Sequence, residues 1–161
     1  LKDYQRERIA GVFFPDRDTL GVNYSVYQSK IAVGSAGFLG KGYGQGSQTQ
    51  LGFLTEPQGD FILPAVVEEW GVITGVVVIG FAILLIIAVL RVGLFARQNF
   101  EKFFCLGTAI VYLIHVAVNA GSALGLFPVV GIPFPFLSYG GSHILTDFFL
   151  LGIVISIARH S

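Results

Sequence analysis

"GVITGVVVIGFAILLIIAVL", residues 71–90, is twenty consecutive residues without a charge. A helix of about 20 residues, at roughly 1.5 Å each, crosses the hydrocarbon core of a bilayer. The composition around it agrees: 53% hydrophobic and 12% charged, with 15 Phe, where soluble domains carry about 25% charged residues. The expected fold class is all-α, a polytopic integral membrane protein. Two further apolar runs follow, so spans are expected at about 63–92, 103–126 and 142–159. The connection "RVGLFARQNFEK" (91–102) sets Arg91, Arg97 and Lys102 against Glu101 alone. The positive-inside rule places such a loop in the cytoplasm. Residues 1–62 and the connection 127–141 then face outward.

The outward regions differ in character. Residues 1–62 read as one large extracytoplasmic loop. Within it, "VNYSVYQSKIAV" (22–33) brings Val22, Val26 and Val33 near one face, which predicts a short amphipathic helix. Residues 34–48 are too rich in glycine to hold a helix. The stretch "FPVVGIPFPFLSYGGS" (127–142) holds three of the six prolines. It cannot cross lipid as regular helix, so it is re-entrant or irregular and shielded by protein or a cavity. The charged opening "LKDYQRER" (1–8) has no targeting pattern, and the expectation is the latter part of a longer chain. A lone cysteine, Cys105, leaves neither a disulfide framework nor a cysteine metal site. Ten basic and ten acidic residues give no basic patch for a nucleic-acid partner.

"FLTEPQGDFILPAVVEEW" (53–70) sets Glu56 and Asp60 just before the first span and Glu68 and Glu69 in its opening turns. A carboxylate drawn into the bilayer costs about 2.5–3.5 kcal/mol, so something must hold these acids at the boundary. Three roles are open to Asp60: helix N-cap, general base, or oxygen ligand to a divalent cation. Residue physics alone favours the cap. Snorkelling or the helix-start dipole accounts for Glu68 and Glu69. The glycine-rich loop around Lys41 is no phosphate loop, because Ser35 and Gly42 stand where Gly and Ser/Thr are needed. Lys41 is then a plain cation for a lipid-linked phosphate or a solvated lysine. His115 and Asn119, four apart in the second span, read as interhelical hydrogen-bond donors and acceptors. Asp147 is an intramembrane acid that calls for a cationic partner.

Taken together, "LKDYQRERI" (1–9), "FFPDRD" (13–18), "QSKIAVGSAGFLGKG" (28–42), "FLTEPQGDF" (53–61), "EEWG" (68–71) and "GIPFPFLSYGGS" (131–142) resemble the SEDS family in order and spacing. These are the shape, elongation, division and sporulation membrane proteins of bacteria, and "DYQRERI" and "GKG" are more like the elongation members. The resemblance implies a ten-helix fold in the bacterial cytoplasmic (inner) membrane, of which three spans lie here. It implies a peptidoglycan glycosyltransferase that polymerises lipid II beside a class B penicillin-binding transpeptidase. The essential acid of the family matches Asp60, now assigned as the general base of an inverting displacement. Lys41, Arg6, Glu56 and Ser142 are assigned to substrate binding. No residue is assigned as a metal ligand, and a divalent cation (Mg or Mn) is the one cofactor left open. Thr55 and Gly59 depart from the usual Pro and Thr beside the acid, and Ala36 from a usual Gly. Competing functions are a lipid II flippase, which would use His115, Asn119 and Asp147 as a path, and a non-catalytic scaffold.

Overall fold

A computed structural model of the chain describes residues 24–54 and 57–160. Among the described residues every regular element is a helix: α1 (Tyr24–Ser35), α2 (Ser47–Gln50), α3 (Ile62–Trp70), α4 (Val72–Phe95), α5 (Asn99–Ala123) and α6 (Gly141–His160). The last three are long and apolar enough to cross a membrane.

The run expected to form one helix from Leu63 onward is two. Gly71 sits at φ 91°, ψ 165° and breaks it, ending α3 and starting α4. Periodicity cannot reveal this break, because the sequence stays apolar across it. Such a break exposes the last carbonyls of one helix and the first N–H groups of the next. The glycine-rich loop satisfies both sets. Lys41 and Gly42 donate their N–H groups to the carbonyls of Glu68 and Glu69, each at 3.0 Å. Val72 and Ile73 donate to the carbonyls of Gly37 and Phe38, at 3.1 and 3.5 Å. The two backbones approach so closely that a Cβ on Gly71 would run into the Phe38 carbonyl, and one on Gly40 into that of Glu69.

Helix α1 forms as expected, but its valines do not carry its inward face. Ser29 and Ala32 are its buried residues, and Ser29 Oγ donates to the Ala123 carbonyl at 2.6 Å, tying α1 to the end of α5. Small residues let the helices approach where valines would hold them apart. Val22 lies outside the described residues.

The spanning helices pack through Ile86, Val89 and Ala96, with Cys105, Ala109 and Tyr112 of α5 and Val154 and Ile157 of α6. The turn between α4 and α5 is closed by a capping box, in which Gln98 and Glu101 each bond the other's backbone. The connection from α5 to α6 is irregular, as its prolines demand. Phe136 sits in it at φ 59°, a conformation that costs a non-glycine residue about 1–3 kcal/mol. Three contacts offset that strain. Its N–H donates to Asp147 Oδ2 at 3.1 Å, and its ring lies edge-on between Tyr112 and Phe148 at 5.7 and 5.4 Å.

Candidate active site

Asp60 lies in the turn that leads into α3, half-buried. The N-cap position of α3 is its neighbour Phe61, whose side chain makes no cap hydrogen bond. Asp60 thus stands one residue before the position a capping acid would take.

The backbone around Asp60 is gripped from outside its own segment. Three consecutive carbonyls, those of Gln58, Gly59 and Asp60, each accept a hydrogen bond from a distant donor. Tyr139 N–H donates to the first at 2.7 Å, Ser138 Oγ to the second at 2.8 Å and Asn119 Nδ2 to the third at 3.0 Å. Asn119 spends its other amide hydrogen on the Ile132 carbonyl at 2.9 Å. Ser138 Oγ also accepts the Phe134 N–H at 2.8 Å. "SYGG" and the C-terminal end of α5 thus hold the turn from two sides. Gly131, at φ 73°, faces the carboxylate, and a Cβ there would stand 3.7 Å from Asp60 Oδ2. Gly131 and Ile132 on one side and Ser138 and Tyr139 on the other thus surround the Asp60 turn.

Lys41 is placed nearby in sequence logic but is occupied. Its Nζ lies 2.7 Å from Glu68 Oε1 and 2.9 Å from Ser47 Oγ. Glu68, expected to snorkel, is instead 0% exposed. Its carboxylate accepts the N–H groups of Gln48 and Thr49 at 2.9 and 3.0 Å and the Thr49 hydroxyl at 2.8 Å. Burial pushes the Glu68 carboxyl up, but the bonds from Gln48, Lys41 and Thr49 outweigh it and hold the group below its ordinary value. Sequence reasoning missed Glu68 because its place in an apolar run shows the cost of the charge and not the partners that offset it.

The remaining candidates are distributed as follows. Ser142 is exposed in the first turn of α6. Glu56 and Arg6 lie outside the described residues. Asn119, read as glue between spans, serves the outer loop. His115 stacks on His143 with ring centroids 5.3 Å apart. Asp147, 2% exposed, has His143 Nε2 of its own helix 3.3 Å from Oδ2, close but without hydrogen-bond geometry, and anchors Phe136 through the Phe136 N–H. Among the described residues no three His, Cys, Asp or Glu side chains converge to hold a metal ion. Ser138 was singled out only as part of a motif. Its position directly before Tyr-Gly-Gly, where the last helix begins, is the available signal.

The whole chain, residues 1–161, matches the family described as cell cycle protein, FtsW/RodA/SpoVE. It is 40% identical over 160 residues to the peptidoglycan glycosyltransferase MrdB of Escherichia coli (strain K12), covering 99% of this chain and 43% of that protein. It is 39% identical over 155 residues to a probable peptidoglycan glycosyltransferase FtsW of Trichlorobacter lovleyi, covering 96% and 40%. A solved chain, from work on the structural coordination of polymerization and crosslinking by a peptidoglycan synthase complex, superposes with a TM-score of 0.77 at 30% identity. The match covers 99% of this chain and 43% of that one. The chain thus spans about two fifths of the length of the relatives it matches.

Proposed function

This chain belongs to the FtsW/RodA/SpoVE family of cell cycle proteins, and on that premise we propose that it forms part of a peptidoglycan glycosyltransferase polymerising lipid II during cell elongation. The observation that carries the reading is Asp60: a half-buried acid at the head of a membrane-boundary helix, on a turn whose backbone Tyr139, Ser138 and Asn119 hold in place. Lipid II keeps its polyprenyl tail in the bilayer and its sugars just outside, so an acid meant for those sugars belongs at this height.

The reaction is a single inverting displacement. A sugar 4-hydroxyl oxygen attacks the anomeric carbon of a second sugar, α-linked to lipid pyrophosphate. The new β-1,4 bond forms as the bond to pyrophosphate breaks and leaves with its electron pair. The hydroxyl proton goes to Asp60. The departing pyrophosphate needs positive charge. Lys41, which also pairs with Glu68, and Arg6 are the local candidates for that charge. Glu56 and Ser142 are assigned to sugar hydroxyls. A divalent cation, Mg or Mn, is the other source of that positive charge, and among the described residues no three His, Cys, Asp or Glu side chains converge on it.

The likeness to a synthase complex that both polymerises and crosslinks supports a class B penicillin-binding transpeptidase as partner. Three spans with a basic connection support the bacterial cytoplasmic membrane, with residues 1–62 outside. The flippase reading gains nothing: His115, Asn119 and Asp147 spend their described contacts on the outer loop and neighbouring helices.

The test is lipid II polymerisation by purified full-length protein carrying Asp60→Asn. Loss of a general base lowers rates by about 10²–10⁴-fold, with lipid II binding and transpeptidase association retained. Polymer made at near wild-type rate would defeat the assignment.

A further inference from the structure

We propose that Asn119 is a positioning residue for the transfer reaction, acting through the Asp60 backbone, with Ser138 as its second point of hold. The proposal rests on the reading of Asp60 as the base. A carboxylate on a turn has two sources of freedom, its own χ angles and the path of the turn. Gly59, immediately before Asp60, makes the second one large, because glycine leaves the backbone more accessible conformations than any other residue. The structure removes that freedom from outside. Asn119 is 1% exposed and sits in the last two turns of α5, a spanning helix. Its amide nitrogen points both hydrogens out of the bundle, to the carbonyls of Asp60 and Ile132.

The amide can face only one way. Turned over, its oxygen would meet two carbonyl oxygens. As placed, its Oδ1 has no hydrogen-bond partner among the described residues. An interhelical role would use that oxygen. Here the side chain gives up an acceptor in order to donate twice to one site. The Ile132 bond joins the same amide to the segment that bears Gly131, so base and segment are fixed to one point. Ser138, 0% exposed, repeats the arrangement one carbonyl earlier, joining Gly59 to Phe134.

The experiment compares steady-state polymerisation by the full-length protein with Asn119→Ala, Ser138→Ala, Asp60→Asn, and Asn119→Ala combined with Asp60→Asn. For Asn119→Ala the expected result is kcat lowered about 10²-fold, the loss a misplacement of roughly 1 Å brings. KM for lipid II should hold, while the thermal midpoint of the purified protein should fall modestly, because two carbonyls lose their donor. Combined with Asp60→Asn, it should cost nothing further, because there is no base left to position. Wild-type kcat for Asn119→Ala, a rise in KM alone, or full additivity with Asp60→Asn would overturn the proposal. If Asn119→Ala protein does not fold, Ser138→Ala decides by the same criteria. Failure of both to fold would assign both residues to stability and overturn it as well. An active Asp60→Asn protein would instead overturn the base reading beneath it.

Discussion

Glu68 shows how a charge can be stable at the membrane boundary. Each oxygen of its carboxylate is used, one by Lys41, Ser47 and Gln48 and the other by Thr49 twice. Its folded-state pKa lies below the ordinary 4.5, which fixes the sign of its pH dependence. The stabilisation is complete above pH 4.5 and is lost as pH falls from there through the folded value. Acid unfolding of the Glu68→Gln protein should therefore be shallower than that of wild type. At neutral pH the same substitution should cost about 1.5–3 kcal/mol, the range for hydrogen bonds to a charged group. The full cost of a broken buried pair does not apply, since Lys41 is 26% exposed. Thermal unfolding of the purified protein between pH 4 and 7 checks both statements, and parallel curves for the two proteins would count against them. Asp60 shares the boundary with Glu56 in the sequence, and it is the family resemblance, not residue physics, that singles it out. Glu68 was not legible there, because its partners come from a loop some twenty residues away.

The break at Gly71 is the feature of secondary structure that governs the outer face. Hydropathy gave the three spans their places but ran the first straight through α3, since apolar residues on both sides conceal a change of direction. The glycine loop was legible as a loop and its purpose was not. Its N–H and carbonyl groups complete two helix ends, and main-chain pairing leaves no mark on side-chain pattern. Gly71→Ala should be strongly destabilising: a positive φ costs about 1–3 kcal/mol in a non-glycine residue, and its Cβ would meet the Phe38 carbonyl. Gly80→Ala, in α4 with nothing near its Cβ, should be neutral or stabilising by helix propensity. Recovery of folded protein and its thermal midpoint separate the two. Equal behaviour would mean that the break is not needed. Helix α1 teaches the same lesson in miniature, since Ser29 and Ala32 bury because they are small, where a periodicity search weights the valines.

At the scale of the whole molecule, topology follows from the charges of one connection and is open to direct measurement. Cysteines introduced by Gln45→Cys and Asn99→Cys, both at exposed positions, should differ in labelling by an impermeant thiol reagent on intact cells. The first should react from outside and the second only after permeabilisation. Labelling of the second from outside would place Asp60 on the wrong side for sugar chemistry. The spans and their order were readable because oil–water partition writes itself along the chain. The grip on Asp60 was not, because residues 58–60, 119 and 138–139 meet only when the helices pack. That grip has a consequence for the surrounding lipid. Helix α5 has 25 residues and is about 37 Å long at 1.5 Å per residue, more than a hydrocarbon core of about 30 Å. It must tilt or protrude, by an amount the bilayer's thickness sets. Asn119 rides near the C-terminal end of α5 and is bonded to the Asp60 backbone, so on the proposed reading the acid rises or sinks with tilt while the sugars stay at the headgroups. In vesicles of graded acyl-chain length, the polymerisation rate should pass through a maximum at one thickness. A rate indifferent to thickness would mean that the acid's height is set elsewhere.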